Sequence, residues 1–263
     1  MNEIELILTD IFNCSRMDLY LNSKSLIFDK NKLNRIDSIL KRRSSSSPLP
    51  YILGNVEFAG LEFKVDKNAL IPRPETEILV EEVVRIAKEY SKPKLNILDI
   101  GTGSGCIAIS LAKFINNAKV TAVDISTKAL ALAKENVKLH KLDKGIKFVK
   151  SDIFSSSIFK KYPKFDIIVS NPPYIKTKEI GLFDYSITKE PRIALDGGKD
   201  GLVFYRRLAK QAKIFLKRDG FILLEIGEEQ AQSIKEIFKK DYIIEKIIKD
   251  YNNRDRIVII RKG

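Results

Sequence analysis

The sequence predicts an α/β chain, built on a doubly wound and mostly parallel sheet, with an antiparallel hairpin at one edge and a small helical module at the N-terminus. Three observations predict it. The runs LNILDI, KVTAVD, IKFVK, FDIIVS and GFILLEI are apolar on both faces, and helix-like segments separate most of them, as expected of parallel strands covered on both sides. A glycine-rich turn, GTGSG, leaves the first run and opens an apolar helix. The chain closes with YIIEKIIKD and RIVIIRKG, joined by YNNRD, a length that suits an antiparallel hairpin.

Taken in order, Ile4, Ile7, Leu8 and Ile11 form one helical stripe, and Leu33, Ile36 and Leu40 form a second. KRRSSSSPLP, at 41–50, reads as a linker because it combines charge, a serine tract and two prolines. Val56 and Phe58, then Leu61, Phe63 and Val65, alternate around Ala59-Gly60 as a β-hairpin. Leu79, Val83 and Ile86 predict a helix over 78–90 that ends before Lys92-Pro93, and KALALAKENVKL and GLVFYRRLAKQAKIFL are the clearest later helices. The expected division is a helical domain at 1–48, a linker with hairpin at 49–75 and the sheet domain at 76–263.

Composition restricts the chemistry. The 263 residues are 44% hydrophobic and 31% charged, which describes an ordinary packed core. His140 is the only histidine, so a histidine-based triad or histidine-rich zinc site is excluded. Cys14 and Cys106 are too far apart for a metal or redox spacing, and no metal is expected. No apolar run approaches the ~20 residues that span a bilayer, and MNEIELILTD is acidic where a secretory leader is basic. A cytoplasmic protein with no membrane partner is expected. The net charge of +13 suits proximity to RNA or the ribosome, and equally suits dispersed, solvated lysines.

Gly101, Thr102, Gly103, Ser104 and Gly105 lie between a strand and an apolar helix, where the backbone can approach a ligand closely and the helix offers free N–H groups. A dinucleotide fingerprint wants glycine at position 106, which is Cys106 here; the G-x-G-x-G form resembles the S-adenosylmethionine loop of methyltransferases. In that resemblance Asp99 faces the ligand's ammonium. Asp124 ends the next strand, placed to accept two ribose hydroxyls, and Asp152 and Ile153 follow one strand later, in reach of an adenine. S-adenosylmethionine is therefore the expected cofactor.

SNPPYIK follows the strand FDIIVS, and two consecutive prolines stop that strand sharply. If LNILDI and FDIIVS are neighbours where the winding reverses, the glycine loop and Asn171-Pro172-Pro173-Tyr174 face one cleft. Asn171 offers an amide oxygen, Pro172 a carbonyl and Tyr174 a face for stacking. Two converging acceptors suit a planar NH2 group, whose delocalised lone pair they would aim at a methyl donor by positioning. Prior deprotonation is unnecessary, consistent with the lack of a histidine base.

Together PLPYILGNVEFAGLEFKVDKNALIPRPETEILVE, DIGTGSGCIAISLA, AVDIS, SDIF, FDIIVSNPPYI, EPRIALDGGKDGLVFYRR and LLEIGEEQ resemble the HemK/PrmC family of protein-(glutamine-N5) methyltransferases. The resemblance implies a Rossmann-like class I methyltransferase sheet. It implies methylation of the glutamine in the Gly-Gly-Gln motif of class I peptide chain release factors, with N-terminal helices that recognise the release factor; a monomer is expected. It also implies cofactor contacts from Gly101 to Gly105, Asp124, Ile153 and Asn171, a glutamine clamp from Asn171 to Tyr174, and a cleft-wall segment containing Arg73 and Glu75. Asn-Pro-Pro-Tyr is shared with adenine-N6 and guanine-N2 methyltransferases of nucleic acid, which are the alternative enzyme class. A ribosome-associated binding protein without turnover is the third reading.

Overall fold

The computed structural model describes residues 2–22, 26–90, 92–142, 145–161, 163–183 and 186–263. Helices α1 (Glu3–Phe12), α2 (Arg16–Leu21), α3 (Lys30–Ser44) and α4 (Leu49–Leu53) come first. Asn2 and Glu5 form a capping box on α1, and Ser15 and Asp18 form one on α2. Ile7 and Ile11 pack against Ile39 and Leu49, with Ile36 partly buried beside them. The contact face of α3 is thus centred between Ile36 and Ile39. Leu33 and Leu40 fall on its flank and are 51% and 53% exposed, while Ile4 is 70% exposed, so the expected stripes are rotated from the true ones.

The serine tract is less of a linker than expected. Helix α3 runs through Lys41, Arg42 and Arg43, the Ser44 and Ser45 hydroxyls donate back to the carbonyls of Lys41 and Arg42, and α4 starts at Leu49. Only residues 45–48 separate the two helices. Arg42 donates to the Tyr51 and Ile52 carbonyls, and Arg43 pairs with Glu3.

Strands β1 (Asn55–Phe58) and β2 (Leu61–Lys64) form the expected hairpin, with both turn residues, Ala59 and Gly60, in the left-handed region as a two-residue turn requires. Helix α5 (Pro74–Glu89) then buries Leu79, Val83 and Ile86. The remaining elements are β3 (Leu95–Ile100), α6 (Cys106–Phe114), β4 (Ala118–Asp124), α7 (Thr127–Leu139), β5 (Ile146–Lys150), β6 (Phe165–Ser170), α8 (Arg192–Leu195), α9 (Val203–Phe215), β7 (Leu216–Glu225), α10 (Ala231–Phe238), β8 (Tyr242–Lys249) and β9 (Asp255–Lys262).

The main sheet has the order β5-β4-β3-β6-β7-β9-β8. The first five strands are parallel, and β9 runs antiparallel to both β7 and β8, giving the edge hairpin that YNNRD predicts. Side chains alternate between two cores: Leu95 and Ile97 enter the one beneath α5, α6 and α7, whereas Leu98 and Ile100 enter the one beneath α9 and α10. Among the described residues, no helix is long and apolar enough to cross a membrane.

The amino ends of the strands are tied at Asp166, a fully buried carboxylate. It accepts from Lys92 Nζ at 2.8 Å, Lys217 Nζ at 2.7 Å and the Asn96 amide at 2.9 Å. Burial alone would raise this carboxyl, but the ammonium groups of Lys217 and Lys92 hold it below its ordinary 3.8. Replacing one partner of a buried ion pair leaves the other charges uncompensated, so Asp166→Ala is expected to cost roughly 3 kcal/mol in urea unfolding at neutral pH. Because the folded carboxyl is depressed, its contribution is present above pH 3.8 and is lost as pH falls through the folded value. The gap between variant and parent should therefore narrow in acid; a constant gap would contradict the assignment.

Candidate active site

Where β3 and β6 lie side by side, their following helices pass to opposite faces of the sheet and leave a crevice at the carboxyl ends. A cavity of about 470 Å³ occupies it, large enough for a nucleoside-sized ligand. Its wall includes Gly101 to Ser104, Asp124, Ile125, Ile153, Asn171 and Pro173. The glycine loop is pinned to β4, with the Gly101 and Thr102 amides donating to the Val123 carbonyl at 2.9 and 3.0 Å. Gly105 begins α6 at φ +84°, and a Cβ there would press on Ala133 at 3.1 Å and Ile109 at 3.2 Å. Close packing of the loop on its helix therefore requires glycine at this position.

Asp124 sits on the cavity wall, but its carboxylate also organises the backbone. Oδ2 accepts from the Gly103 amide at 2.9 Å and Oδ1 from the Ser126 amide at 2.8 Å. Burial raises this carboxyl, and those backbone donors oppose the rise. Ile153 holds φ +53°, a costly conformation for a β-branched residue, with its carbonyl accepting from Ser151 Oγ at 2.8 Å. Asp152 is paired with Arg207 of α9 at 2.8 Å, so part of its capacity is already engaged.

Asp99 departs from expectation. It is fully buried beneath the loop and is not part of the cavity wall; its Oδ2 accepts from the Thr102 hydroxyl at 2.6 Å. Asp99 thus stands behind the glycine loop rather than on the cavity surface. Burial pushes this carboxyl up to about 7, with the Thr102 hydrogen bond opposing and the Asp124 charge adding. Asp99 Oδ1 and Ser104 Oγ are buried without hydrogen-bond partners among the described residues. A carboxylate at the end of β4, a glycine loop and unsatisfied acceptors under it fit a cationic nucleoside such as S-adenosylmethionine.

The β6 exit is fixed from below by the Ser170 hydroxyl, which donates to the Ile100 carbonyl at 2.6 Å. Asn171 Nδ2 donates to Thr76 Oγ1 at 3.0 Å, and Thr76 Oγ1 donates to Glu225 Oε2 at 2.6 Å. With the amide nitrogen spent on Thr76, the amide oxygen lies on the opposite side of Cγ, and no described hydrogen bond engages it. Pro172 is buried and Pro173 reaches the cavity wall.

Tyr174 also departs from expectation. Its ring packs against the core beneath α9 and α10 rather than lining the cavity, and its hydroxyl donates to Glu225 Oε1 at 3.3 Å. Burial raises the phenol well above its ordinary value, and the Glu225 charge adds to this. The partly buried ring is packed against the core and anchors the loop from which Asn171 projects.

The segment after Tyr174 is zipped to residues 195–198, with Ile175 and Leu195, Gly197 and Ile175, and Thr177 and Gly198 sharing backbone hydrogen bonds. Gln230 Nε2 donates to the Tyr174 and Gly201 carbonyls, both at 3.1 Å, while its Oε1 accepts from the Gly227 amide. Gly201 has φ +76°, and a Cβ there would collide with the Tyr174 carbonyl oxygen. On the opposite wall, buried Glu190 pairs with Arg73 and accepts from the Ile71 amide at 3.0 Å. Tyr51 of α4 donates to the Ala69 carbonyl at 2.6 Å, bracing the same wall. Glu75 lies half-exposed in the first turn of α5.

Thr76, Glu190, Glu225 and Gln230 have no role in the sequence reading. Glu225 carried a usable signal: an acid ending an otherwise apolar strand next to FDIIVS, the same pattern that marks Asp124. Thr76 carried none, because a threonine in the first turn of a helix reads as an ordinary terminus.

Residues 74–218 match the family model for the methyltransferase small domain, and residues 1–54 match that for the PrmC N-terminal domain. The chain is 38% identical over 263 residues to the release factor glutamine methyltransferase of Fusobacterium nucleatum subsp. nucleatum, covering 99% of this chain and 73% of that one. It is 41% identical over 256 residues to the namesake in Streptococcus pneumoniae, covering 95% and 88%. Among solved structures, a methyltransferase from Pyrococcus furiosus shares the fold, with a TM-score of 0.56 at 24% identity, covering 89% and 98%. On the sequence relatives, at these identities over nearly the whole chain, it belongs to the release factor glutamine methyltransferase family.

Proposed function

We propose that this chain methylates the side-chain amide nitrogen (N5) of the glutamine in the Gly-Gly-Gln motif of class I peptide chain release factors, with S-adenosyl-L-methionine as donor. The observation that carries the reading is the Asn171 amide, held by Thr76 so that its oxygen is left free at the β3–β6 crevice beside the glycine loop. S-adenosylmethionine supplies, when bound, a methyl group activated by a sulfonium centre. Gly101 to Gly105, Asp124 and Ile153 hold the nucleoside. Asn171 Oδ1 and the Pro172 carbonyl accept the two hydrogens of the substrate's NH2 group and orient its lone pair, while Pro173 and Tyr174 keep that loop rigid. Residues 1–48 form the unit that recognises the release factor, 49–75 the connecting wall and 76–263 the methyltransferase domain. A nucleic-acid amino-methyltransferase would use the same two acceptors, and the charge of +13 favours testing it.

Labelled S-adenosylmethionine and a release factor carrying Gln or Ala in the Gly-Gly-Gln loop decide between these readings. Label is expected on the Gln form alone. Label on the Ala form, or on stripped rRNA or DNA in its place, would overturn the assignment.

Asn171→Ala should leave cofactor affinity within about threefold but lower the transfer rate by about 10²–10³, as loss of one oriented polar group does elsewhere. Equal losses in both would make the residue structural. Asp124→Ala should act on binding first, weakening cofactor affinity by about tenfold to a hundredfold, the equivalent of one charge-assisted hydrogen bond. Calorimetric titration measures both. Gly201→Ala, which drives a methyl group into the Tyr174 carbonyl, should lower the transfer rate and the melting temperature together while leaving the glycine loop able to bind cofactor.

A further inference from the structure

Thr76 and Glu225 lie behind Asn171, each 2% exposed; Thr76 reaches the back of the cavity wall and Glu225 does not. Their hydrogen bonds have a direction. An ionised carboxylate only accepts, so at 2.6 Å Glu225 Oε2 takes the single hydroxyl hydrogen of Thr76. Thr76 Oγ1 is left as an acceptor, and only the NH2 end of the Asn171 amide can satisfy it, at 3.0 Å. A carboxamide is nearly symmetric in shape, so packing alone does not choose between its two ends. The chain of donors does.

We propose that Thr76 and Glu225 are positioning residues for methyl transfer: the Glu225 carboxylate sets the polarity of the Thr76 hydroxyl, which holds the Asn171 amide with its oxygen toward the cleft. The proposal deepens the amide-nitrogen reading above and rests on it. Protonated at Oε2, Glu225 donates to Thr76 instead; the Thr76 hydrogen then goes to Asn171 Oδ1 of an amide turned about its last torsion. The cleft receives an NH2 group where the substrate also brings one, and two donors oppose each other.

The surroundings of Glu225 bring this reversal into reach. Burial pushes its carboxyl up to about 7, against the Thr76 hydrogen bond, the Arg256 charge on β9 and the Tyr174 hydroxyl, and with the aid of Glu75 on α5. Cys106, at the start of α6, also feels its charge, and Tyr205 of α9 donates to its backbone carbonyl at 2.8 Å. The active form is the ionised one, so transfer should weaken as pH falls through the neutral range. Asp99 titrates in the same range, so dependence on Thr76 is what identifies the limb.

The test uses the full chain, its Thr76→Val, Thr76→Ser and Glu225→Gln variants, S-adenosylmethionine and a release factor. Thr76→Val, the same shape without a hydroxyl, is expected to lower the single-turnover rate by about tenfold to a hundredfold and to remove the acid limb. Cofactor affinity should stay within about twofold, and Thr76→Ser should recover the rate to within about threefold of the parent. Glu225→Gln should lose the acid limb, and it decides the matter if Thr76→Val does not fold. A second readout needs no release factor: with 15N-labelled asparagine, the Asn171 side-chain amide should exchange slowly with solvent in the parent and the Ser variant, and rapidly in the Val variant. The inference is overturned if the Val variant keeps the parent rate or exchange, if Ser is as impaired as Val, or if Glu225→Gln retains the acid limb. Failure of the parent to modify any release factor would sink the proposed function, whereas the exchange measurement would still judge the Asn171 polarity.

Discussion

The parallel pairing of β3 with β6 is the constraint on which the rest depends. Ile97 to Asp99 are in register with Ile167 to Val169, although more than sixty residues of chain separate them. The intervening strands β4 and β5 extend the sheet on one side of β3, and everything after β6 extends it on the other. The two loops that leave this pair therefore part company at the carboxyl edge, one chain turning to each side of the sheet. Lining the cleft with backbone donors from one loop and a side-chain amide from the other follows from that topology. The Ser170–Ile100 hydrogen bond holds the two exits at fixed separation.

The sheet also separates its buried charges by end. Asp166, at the amino end, is met by two ammonium groups and a backbone amide, and its carboxyl is depressed. Asp99 and Glu225, at the carboxyl end, are equally buried but short of cationic partners, and both are raised to about 7. A raised acid stabilises the fold in its protonated form, so stability declines as pH rises from the ordinary values of 3.8 and 4.5 toward about 7. Holding these groups ionised at neutral pH thus costs stability at the cleft, while the opposite end of the same strands is fully compensated. Buried charge that is left short of partners is where a cation or a polarised hydrogen bond gains most.

The fold was legible because its signals are periodic: apolar strands, amphipathic α5, and a five-residue link between the last two strands all met their expected partners. The glycine loop and Asn171 were legible because sharp backbone breaks leave a chemical mark. What escaped was burial that depends on tertiary placement. Leu33 and Leu40 have helical spacing, but a module this small presents one narrow contact face, and they miss it. Asp99 and Asp124 look alike at strand ends, yet one lies under the loop and the other beside the cavity. Tyr174 offered a ring for stacking, but whether a ring faces ligand or core is decided by β7 and α9, which lie further along the chain.

Tyr174 also explains why the proline pair at 172–173 is answered by glycines further along the chain, at 197 and 201. Pro172 and Pro173 have no N–H, so the loop loses two of the donors by which neighbouring backbone is usually gripped. Its carbonyls and the following residues must then carry the attachment. Residues 195–201 supply it by approaching so closely that a Cβ at Gly197 would meet Tyr174 Cα at 2.8 Å, and one at Gly201 would strike the Tyr174 carbonyl. Gln230 fills the remaining gap, donating to Tyr174 and Gly201 at once. Rigid without donors on one side and closely packed without side chains on the other, the two segments are complementary, and Asn171 inherits a fixed backbone. Thr76 and Glu225 then have one torsion left to decide, the one that chooses oxygen or nitrogen for the cleft.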